Sequence, residues 1–433
     1  MLHRSSRASW ILWPLMLTSA ACSKRNLDLG DGTGEIGGRD GGPVTETEGG
    51  LPDGPIGTAD GPVLPPPDAR VMRLDAMESG CVSAAILLPW TQTSSAPLHL
   101  TVAASSDAVA VTSRTSTQLD VRTFARDGTA VGSFQFESDA QFGAYRDDRF
   151  LLVARGTTGD FAATSLGRTL MGGSRLGVAS ATATEHILGS IALSADVIVL
   201  TDEHFVSFAA GGGLPWSGVL GATDKDTFKT GRLYGLAAQS NKVLIAWSTS
   251  TALRLAVLSS GGTLAARVDD GSFFGSLGSQ TASAIPYGGG LLLFDGNPVR
   301  LTQVGFDLSR QPLGQNTQLR TFYRSAAQVA AITMPDRPVA FWLTVFPATD
   351  ASQGLTTHQL YGCALDPANP ATCVSTSLIA ATGLGGYGIS SDPVAAAALP
   401  DGSGFAIAHT DVYGQAWLRI ADLSCAVPGV GGP

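Results

Sequence analysis

An all-β fold of repeated hairpins is what this sequence predicts, on three observations. No long segment after about residue 80 shows a 3.6-residue apolar period. Short apolar runs recur instead, their first residues 42, 47, 46, 48, 48 and 66 positions apart. Turn formers are abundant, with 53 Gly and 23 Pro in 433 residues. They fall between the runs, where short strands need tight turns.

The runs occupy residues 108–111, 150–153, 197–200, 243–247, 291–294, 339–343 and 405–408. An unbroken apolar run suits a strand buried on both faces. Each run leads through a polar turn to a second strand that tends to alternate, as in 118–124 and 252–257. Turn chemistry follows, in Asp127-Gly128, Gly211-Gly212-Gly213, Gly261-Gly262 and Asp307-Leu308-Ser309, and then a further strand. A unit in the forties repeated seven times marks the blades of a propeller. The expected architecture is a seven-bladed β-propeller over residues 79–428, with the apolar runs as its inner strands, and 429–433 as a tail. A β-sandwich pair or a β-solenoid is the alternative. Solenoid coils are usually shorter, and sandwiches need no fixed interval. Asp401-Gly402-Ser403-Gly404-Phe405-Ala406-Ile407-Ala408 and Val243-Leu244-Ile245-Ala246-Trp247 resemble the D-G-x-G-F-x-V-A-W propeller repeats of many bacterial surface proteins. The resemblance spans residues 80–428 and implies architecture without activity.

The five cysteines test ring closure. Cys363 ends the second strand of hairpin six, and Cys373 opens the strand after the turn Asp366-Pro367-Ala368-Asn369-Pro370. Those antiparallel ends are adjacent, so they can bridge. Cys425 ends the second strand of hairpin seven, where the chain is nearly over and an outer strand is missing. Cys81 opens an early strand at 82–88 that belongs to no hairpin. If that strand completes blade seven, Cys81 stands to Cys425 as Cys373 stands to Cys363. Four cysteines allow three pairings; the repeat selects Cys81–Cys425 and Cys363–Cys373. Free buried thiols are the alternative.

The N-terminus reads as an address. Arg4 and Arg7 precede the apolar stretch 10–17, and Thr18-Ser19-Ala20-Ala21 supplies small residues, as in a secretory signal over residues 1–21. The apolar stretch is far short of the ~20 residues of a membrane span. Ser19-Ala20-Ala21-Cys22 resembles the bacterial lipobox, which implies lipidation of Cys22 and a membrane held through that lipid. It departs from the pattern at Ser19, where Leu is usual, so ordinary cleavage stays open. Ser23, in place of Asp, implies the outer membrane in the better-known sorting pattern. The expected location is the bacterial cell envelope.

Residues 22–78 change character, with Gly41-Gly42-Pro43, Pro52-Asp53-Gly54-Pro55 and Pro65-Pro66-Pro67. Their apolar residues are few and aperiodic, so they cannot offset the entropy of ordering. With 11 acidic and 5 basic side chains, this is a flexible acidic linker that self-repulsion extends.

Recognisable chemistry is sparse. The net charge is -9 and Lys24, Lys225, Lys229 and Lys242 are the only lysines, which argues against nucleic-acid binding. Gly32-x-Gly34-x-x-Gly37 and Gly383-x-Gly385-x-x-Gly388 imitate a dinucleotide fingerprint, but neither joins a strand to a helix. No two of the six His lie at metal-ligand spacing, and Cys-x-x-Cys, a Gly-x-Ser-x-Gly elbow and a P-loop are absent. No cofactor or metal is expected.

One constellation remains. The turns after the apolar runs share one face of the disc. They present Ser113-Arg114, Arg155, Asp202-Glu203-His204, Asp295 with Asn297, and His409 with Asp411. Carboxylates and imidazoles meeting near an axis can bind a cation, a sugar or a polar peptide. Hairpin turns are also polar simply because water surrounds them. Trp90, Trp216, Trp247, Trp342 and Trp417 are expected to pack blades rather than stack sugars. Three functions fit: a non-enzymatic surface lipoprotein binding a protein or glycan, an exported glycan hydrolase or lyase, and a structural subunit of an envelope complex. The enzyme would need two convergent carboxylates, or a His beside a carboxylate.

Overall fold

The computed structural model describes residues 77–78, 81–92 and 98–425, except 138, 147, 157–158, 183, 193–195, 210–216, 220–231, 240–241, 249–252, 260–263, 271–282, 296–298, 317–318, 320–328, 348–355, 386–393 and 412. The segment read as a signal, Cys22, most of the segment read as a linker, and Trp216 lie outside the described residues. So do residues 348–355, after the sixth apolar run.

The described chain opens with β1 (Met77–Glu78) and β2 (Val82–Thr91). Blade one is β3 (His99–Ala104), β4 (Ala108–Arg114), β5 (Gln118–Ala125) and β6 (Ala130–Glu137). Blade two is β7 (Gln141–Arg146), β8 (Arg149–Arg155), β9 (Phe161–Leu166) and β10 (Ser174–Ala179). Blade three is β11 (Ile187–Ala192), β12 (Asp196–Thr201), β13 (His204–Ala209) and β14 (Ser217–Val219). Blade four is β15 (Arg232–Gln239), β16 (Lys242–Ser248), β17 (Leu253–Ser259) and β18 (Leu264–Asp270). Blade five is β19 (Ser283–Tyr287), β20 (Gly290–Asp295), β21 (Val299–Gly305) and β22 (Arg310–Asn316). Blade six is β23 (Ala330–Thr333), β24 (Pro338–Pro347), β25 (Thr356–Leu365) and β26 (Cys373–Gly385). Blade seven takes β27 (Val394–Ala398), β28 (Gly404–Thr410) and β29 (Gln415–Asp422) from the C-terminal end.

Each blade is an antiparallel sheet in chain order. The first strands touch in sequence around the axis, from β3 with β7 to β27 with β3, so the ring is closed. The fourth strand of blade seven is β2, antiparallel to β29 with Val82 opposite Ala421 and Leu87 opposite Trp417. Cys81–Cys425 locks that edge across 344 residues, and Cys363–Cys373 braces blade six across 10. Both pairings and the closure are as the repeat requires. Met77 and Glu78, the last two residues of the segment read as linker, pair with Ala381 and Ala380 on β26.

The expectation for the apolar runs needs correction. They form β4, β8, β12, β16, β20, β24 and β28, which are second from the axis. A strand rich in small residues precedes each one, as in Val394-Ala395-Ala396-Ala397-Ala398 and Ile187-Leu188-Gly189-Ser190-Ile191-Ala192. Blades converge at the axis, and bulk does not fit there. A Cβ on Gly235 of β15 would lie 2.7 Å from Ala284 Cβ and 2.8 Å from Ala284 O on β19. The second strand carries the bulk instead, and Val109, Ala110 and Val111 of β4 are wholly buried. In β5, Leu119 and Val121 are buried while Asp120 and Arg122, which alternate with them, are partly exposed, the alternation expected nearer the rim.

The core is divided into seven apolar layers, one in each seam between blades. Between blades six and seven, Phe341 and Phe405 meet with ring centroids 4.7 Å apart. Such a pair stabilises by about 1 kcal/mol beyond its area burial. On one face, the back, lie the turns joining first to second and third to fourth strands. There Asp127, Asp307 and Asp401 each accept the N–H two residues on, at 2.9, 2.9 and 3.1 Å. The front face carries the turns after the second strands and the crossings between blades.

Candidate functional site

The front face holds a chain of charges across blades one to three. Arg114 ends β4, and its Nη2–H donates to Ala140 O at 2.5 Å in the approach to blade two. Burial pushes this guanidinium below its ordinary pKa, and the Asp139 carboxylate opposes that. Arg155 ends β8, with Nε 3.4 Å from Asp139 Oδ2. Its Nη1 donates to Gly159 O at 2.7 Å and to Thr182 O at 3.0 Å, and its Nη2 to Glu185 O. The guanidinium also lies 4.8 Å from the centre of the Phe161 ring. Each arginine thus ends a second strand and grips the approach to the next blade.

Glu185 closes the chain. It is fully buried. Its Oε2 accepts the Thr182 N–H at 3.0 Å, and its Oε1 meets the Thr201 hydroxyl and lies 2.5 Å from His204 Nδ1. Such satisfaction is what lets a carboxylate stay buried. The contact assigns the Nδ1 proton to the carboxylate side, so Nε2 of a neutral ring is the acceptor. The His204 side chain is 22% exposed. Asp202 is fully buried and accepts the His186 N–H at 2.9 Å. Glu203 is half-buried, and its N–H donates to Thr201 Oγ1 at 3.2 Å.

His409 and Asp411 form a second cluster, within blade seven. His409 Nδ1 lies 2.9 Å from Thr410 O, and Nε2 faces the buried Arg419 guanidinium. Asp411 Oδ1 accepts the Tyr413 and Gln415 N–H groups at 2.8 and 2.9 Å, and Oδ2 the Trp417 indole N–H at 2.9 Å. This carboxylate holds its own turn. Asp295 ends β20 opposite Arg300, with its side chain outside the described residues. The structure therefore gathers Arg155, Asp202, Glu203 and His204 at blades two and three and keeps His409 and Asp411 in blade seven. Sequence reasoning missed Asp139 and Glu185. Each stands two residues before a first strand, so neither can be placed until those strands are found.

Beside the charge chain lies a narrow cleft between blades one and two, with room for about one water molecule. His99 and Thr101 of β3 line it with Thr112 and Arg114 of β4; Leu119 and Phe142 form apolar walls, and Gln141 opens β7 beside them. Thr101 and Thr112 sit opposite one another with their hydroxyls 2.6 Å apart. Among the tryptophans, Trp247 is wholly buried, Trp342 stacks on Tyr361 at 5.6 Å, and Trp90 donates to Asp120 Oδ2 at 2.9 Å across the seam of blades seven and one.

Seven blades, six of four strands and the sixth blade extended to five by β1, with β2 completing the last, define the protein as a seven-bladed β-propeller. No protein-family model matches the chain. No curated protein matches it. Solved structures similar to it include the WD40 domain of Toxoplasma gondii coronin, at 10% identity over 82% of this chain and 90% of that one, TM-score 0.43. The β-propeller domain of the Trilobed protease from Pyrococcus furiosus aligns at 8% identity over 76% and 96%, TM-score 0.44. A protein of unknown function from Bacteroides caccae aligns at 13% identity over 68% and 97%, TM-score 0.36. The assignment to the fold rests on the strand pairing of this chain.

Proposed function

We propose that this protein is a lipid-anchored protein of the bacterial cell envelope whose propeller binds a protein or glycan partner through its front face. The observation that carries the reading is the arrangement of that face. Buried polar and charged groups are gathered there by three consecutive blades. The two disulfides suit an oxidising compartment, and Cys22 after a signal supplies the anchor. Wild type is expected in the detergent phase of a Triton X-114 partition, and Cys22→Ala in the aqueous phase. Capture of an envelope partner should fall for Tyr413→Ala, at an exposed front-face turn, and not for Met171→Ser, exposed on the back. Equal capture by both variants would sink the front-face assignment.

A second reading is favoured by one contact, the carboxylate of Glu185 on Nδ1 of His204. A histidine so held can take a proton at Nε2, which suits a glycan hydrolase or lyase. Turnover of an envelope polysaccharide that is abolished in His204→Ala and kept in His409→Gln supports it. Absence of turnover in wild type removes it.

A further inference from the structure

Tension on the N-terminal segment reaches the ring at one place. Met77 and Glu78 pair with Ala381 and Ala380 on β26, and so short a ladder holds little. Cys81 comes next and opens β2. β2 runs antiparallel to β29, so Val82 and Ala421 form the first pair of a zipper whose two ends, Cys81 and Cys425, lie side by side. Tension on such an end opens a ladder one pair at a time, and each hydrogen bond is weak on balance. This ladder is also interrupted, with its register shifted between Val82 and Ala84 and again between Leu87 and Thr91. Losing β2 would uncover Leu88, break the Ser83 hydroxyl bond to Ile420 O, and break the Trp90 indole bond to Asp120 in blade one. The ring would then stand open between blades seven and one. The mouth of the zipper is fastened by the Cys81–Cys425 bond. Around that bond the Asp422 N–H donates to Cys81 O and the Leu423 N–H to Ser403 O, each at 3.0 Å. Cys425 itself is buried in the apolar layer between blades six and seven. The blade-six disulfide spans only 10 residues and does not touch this edge.

We propose that Cys81–Cys425 is a mechanical clamp. Tension arriving through the N-terminal segment passes across the sulfur–sulfur bond into the end of β29, and β2 stays in the ring instead of peeling from it. The proposal rests on the N-terminal segment being the anchor of the reading above, because an anchor and a partner on the front face pull against each other through residues 77–81. Closure of the ring thereby becomes independent of how hard the partner is pulled. A thermal stabiliser only has to bias an equilibrium; a clamp has to stand in the path of the force, and Cys81 stands there.

The test is to stretch the full-length protein in magnetic tweezers by tags at its two termini. In oxidised wild type the loop closed by Cys81 and Cys425 is expected not to extend, even at loads that straighten the segments outside it. Reduction of the folded protein in place should let the same load release about 1,200 Å more, the reach of 344 residues at about 3.5 Å each. The first step of that release should be about 60 Å, from β2 and the connection up to His99. Cys81→Ser/Cys425→Ser should behave as the reduced protein, and Cys363→Ser/Cys373→Ser as oxidised wild type. Reduction in place keeps the test decisive if the first of these variants does not fold. Extension of the loop in oxidised wild type overturns the proposal. A reduced protein that opens another blade while β2 stays paired does the same, as does loop extension in oxidised Cys363→Ser/Cys373→Ser. The detergent partition separates this from the anchor reading. Wild type in the aqueous phase removes the anchor and leaves the clamp; wild type in the detergent phase with a loop that extends when oxidised removes the clamp and leaves the anchor.

Discussion

Blades six and seven carry the same brace in different circumstances. In both, a disulfide joins the third strand, or the turn just after it, to the beginning of the fourth, with Cα atoms 5.7 and 5.4 Å apart. In blade six the two cysteines are 10 residues apart in one continuous hairpin. In blade seven they are 344 residues apart and bring together the two ends of the propeller. Similar local geometry therefore removes very different amounts of freedom from the unfolded chain. On the chain-entropy account the short loop is worth roughly 3 kcal/mol and the long one roughly 6 kcal/mol, less any strain. The closing blade also gathers cross-seam contacts. Trp90 of β2 reaches Asp120 in blade one, and Arg126 of blade one pairs with Asp401 of blade seven at 2.6 Å. Gly128, with φ of +87°, lets β2 settle, since a Cβ there would stand 3.0 Å from Ala84 Cβ.

The largest expected effect breaks the two braces separately. The Cys81→Ser/Cys425→Ser double variant should lower the thermal midpoint by roughly 10 °C or more, and Cys363→Ser/Cys373→Ser by about half that. Scanning calorimetry gives the order directly; a larger loss from the blade-six pair would end the argument from loop length.

Next comes a seam that needs no closure. Blades two and three follow one another in the chain and are joined on the front by Arg155, Glu185 and His204. Glu185→Ala removes the acceptor for His204, Thr201 and the Thr182 N–H, and should cost about 3 kcal/mol in urea unfolding. A cost below about 0.5 kcal/mol would mean that the network contributes nothing to holding these blades together.

The smallest effect is at Arg126–Asp401, whose side chains are 33% and 48% exposed. Asp401→Asn should cost under about 1 kcal/mol. Although burial pushes the Asp401 carboxyl up, its hydrogen bonds from Arg126 and Ser403 outweigh that and hold its pKa below the usual value. Its contribution is therefore complete above the unfolded-state value of about 3.9 and is lost as pH falls through the lower folded value. Wild type and Asp401→Asn should converge in stability only at acid pH. Convergence at neutral pH would leave the pair without a part in closure.

Much of this frame is legible in the sequence, for physical reasons. Second strands lie between two neighbouring blades and must be apolar on both faces, so runs such as Val243-Leu244-Ile245-Ala246-Trp247 stand out. Closure is legible because Cys81 and Cys425 are paired by the repeat. First strands escape because the narrow axis selects Ala, Gly and Ser, and Ala330-Ala331-Ile332-Thr333 has neither bulk nor alternation. With the first strands go the residues just before them, Asp139 and Glu185, and the cleft edge at His99 and Gln141. Arg155 and His204 were within reach because they adjoin conspicuous runs. Asp411 shows the cost of that shortcut, since its turn position reads the same whether it binds a ligand or its own backbone.

The central claim is that the strand after Cys81 completes the blade that ends at Cys425. Peptide mapping of the full-length protein under non-reducing conditions tests it most directly. Linked peptides joining Cys81 to Cys425 and Cys363 to Cys373 are the expected result. A Cys81–Cys363 link, or free thiols at Cys81 and Cys425, would contradict it.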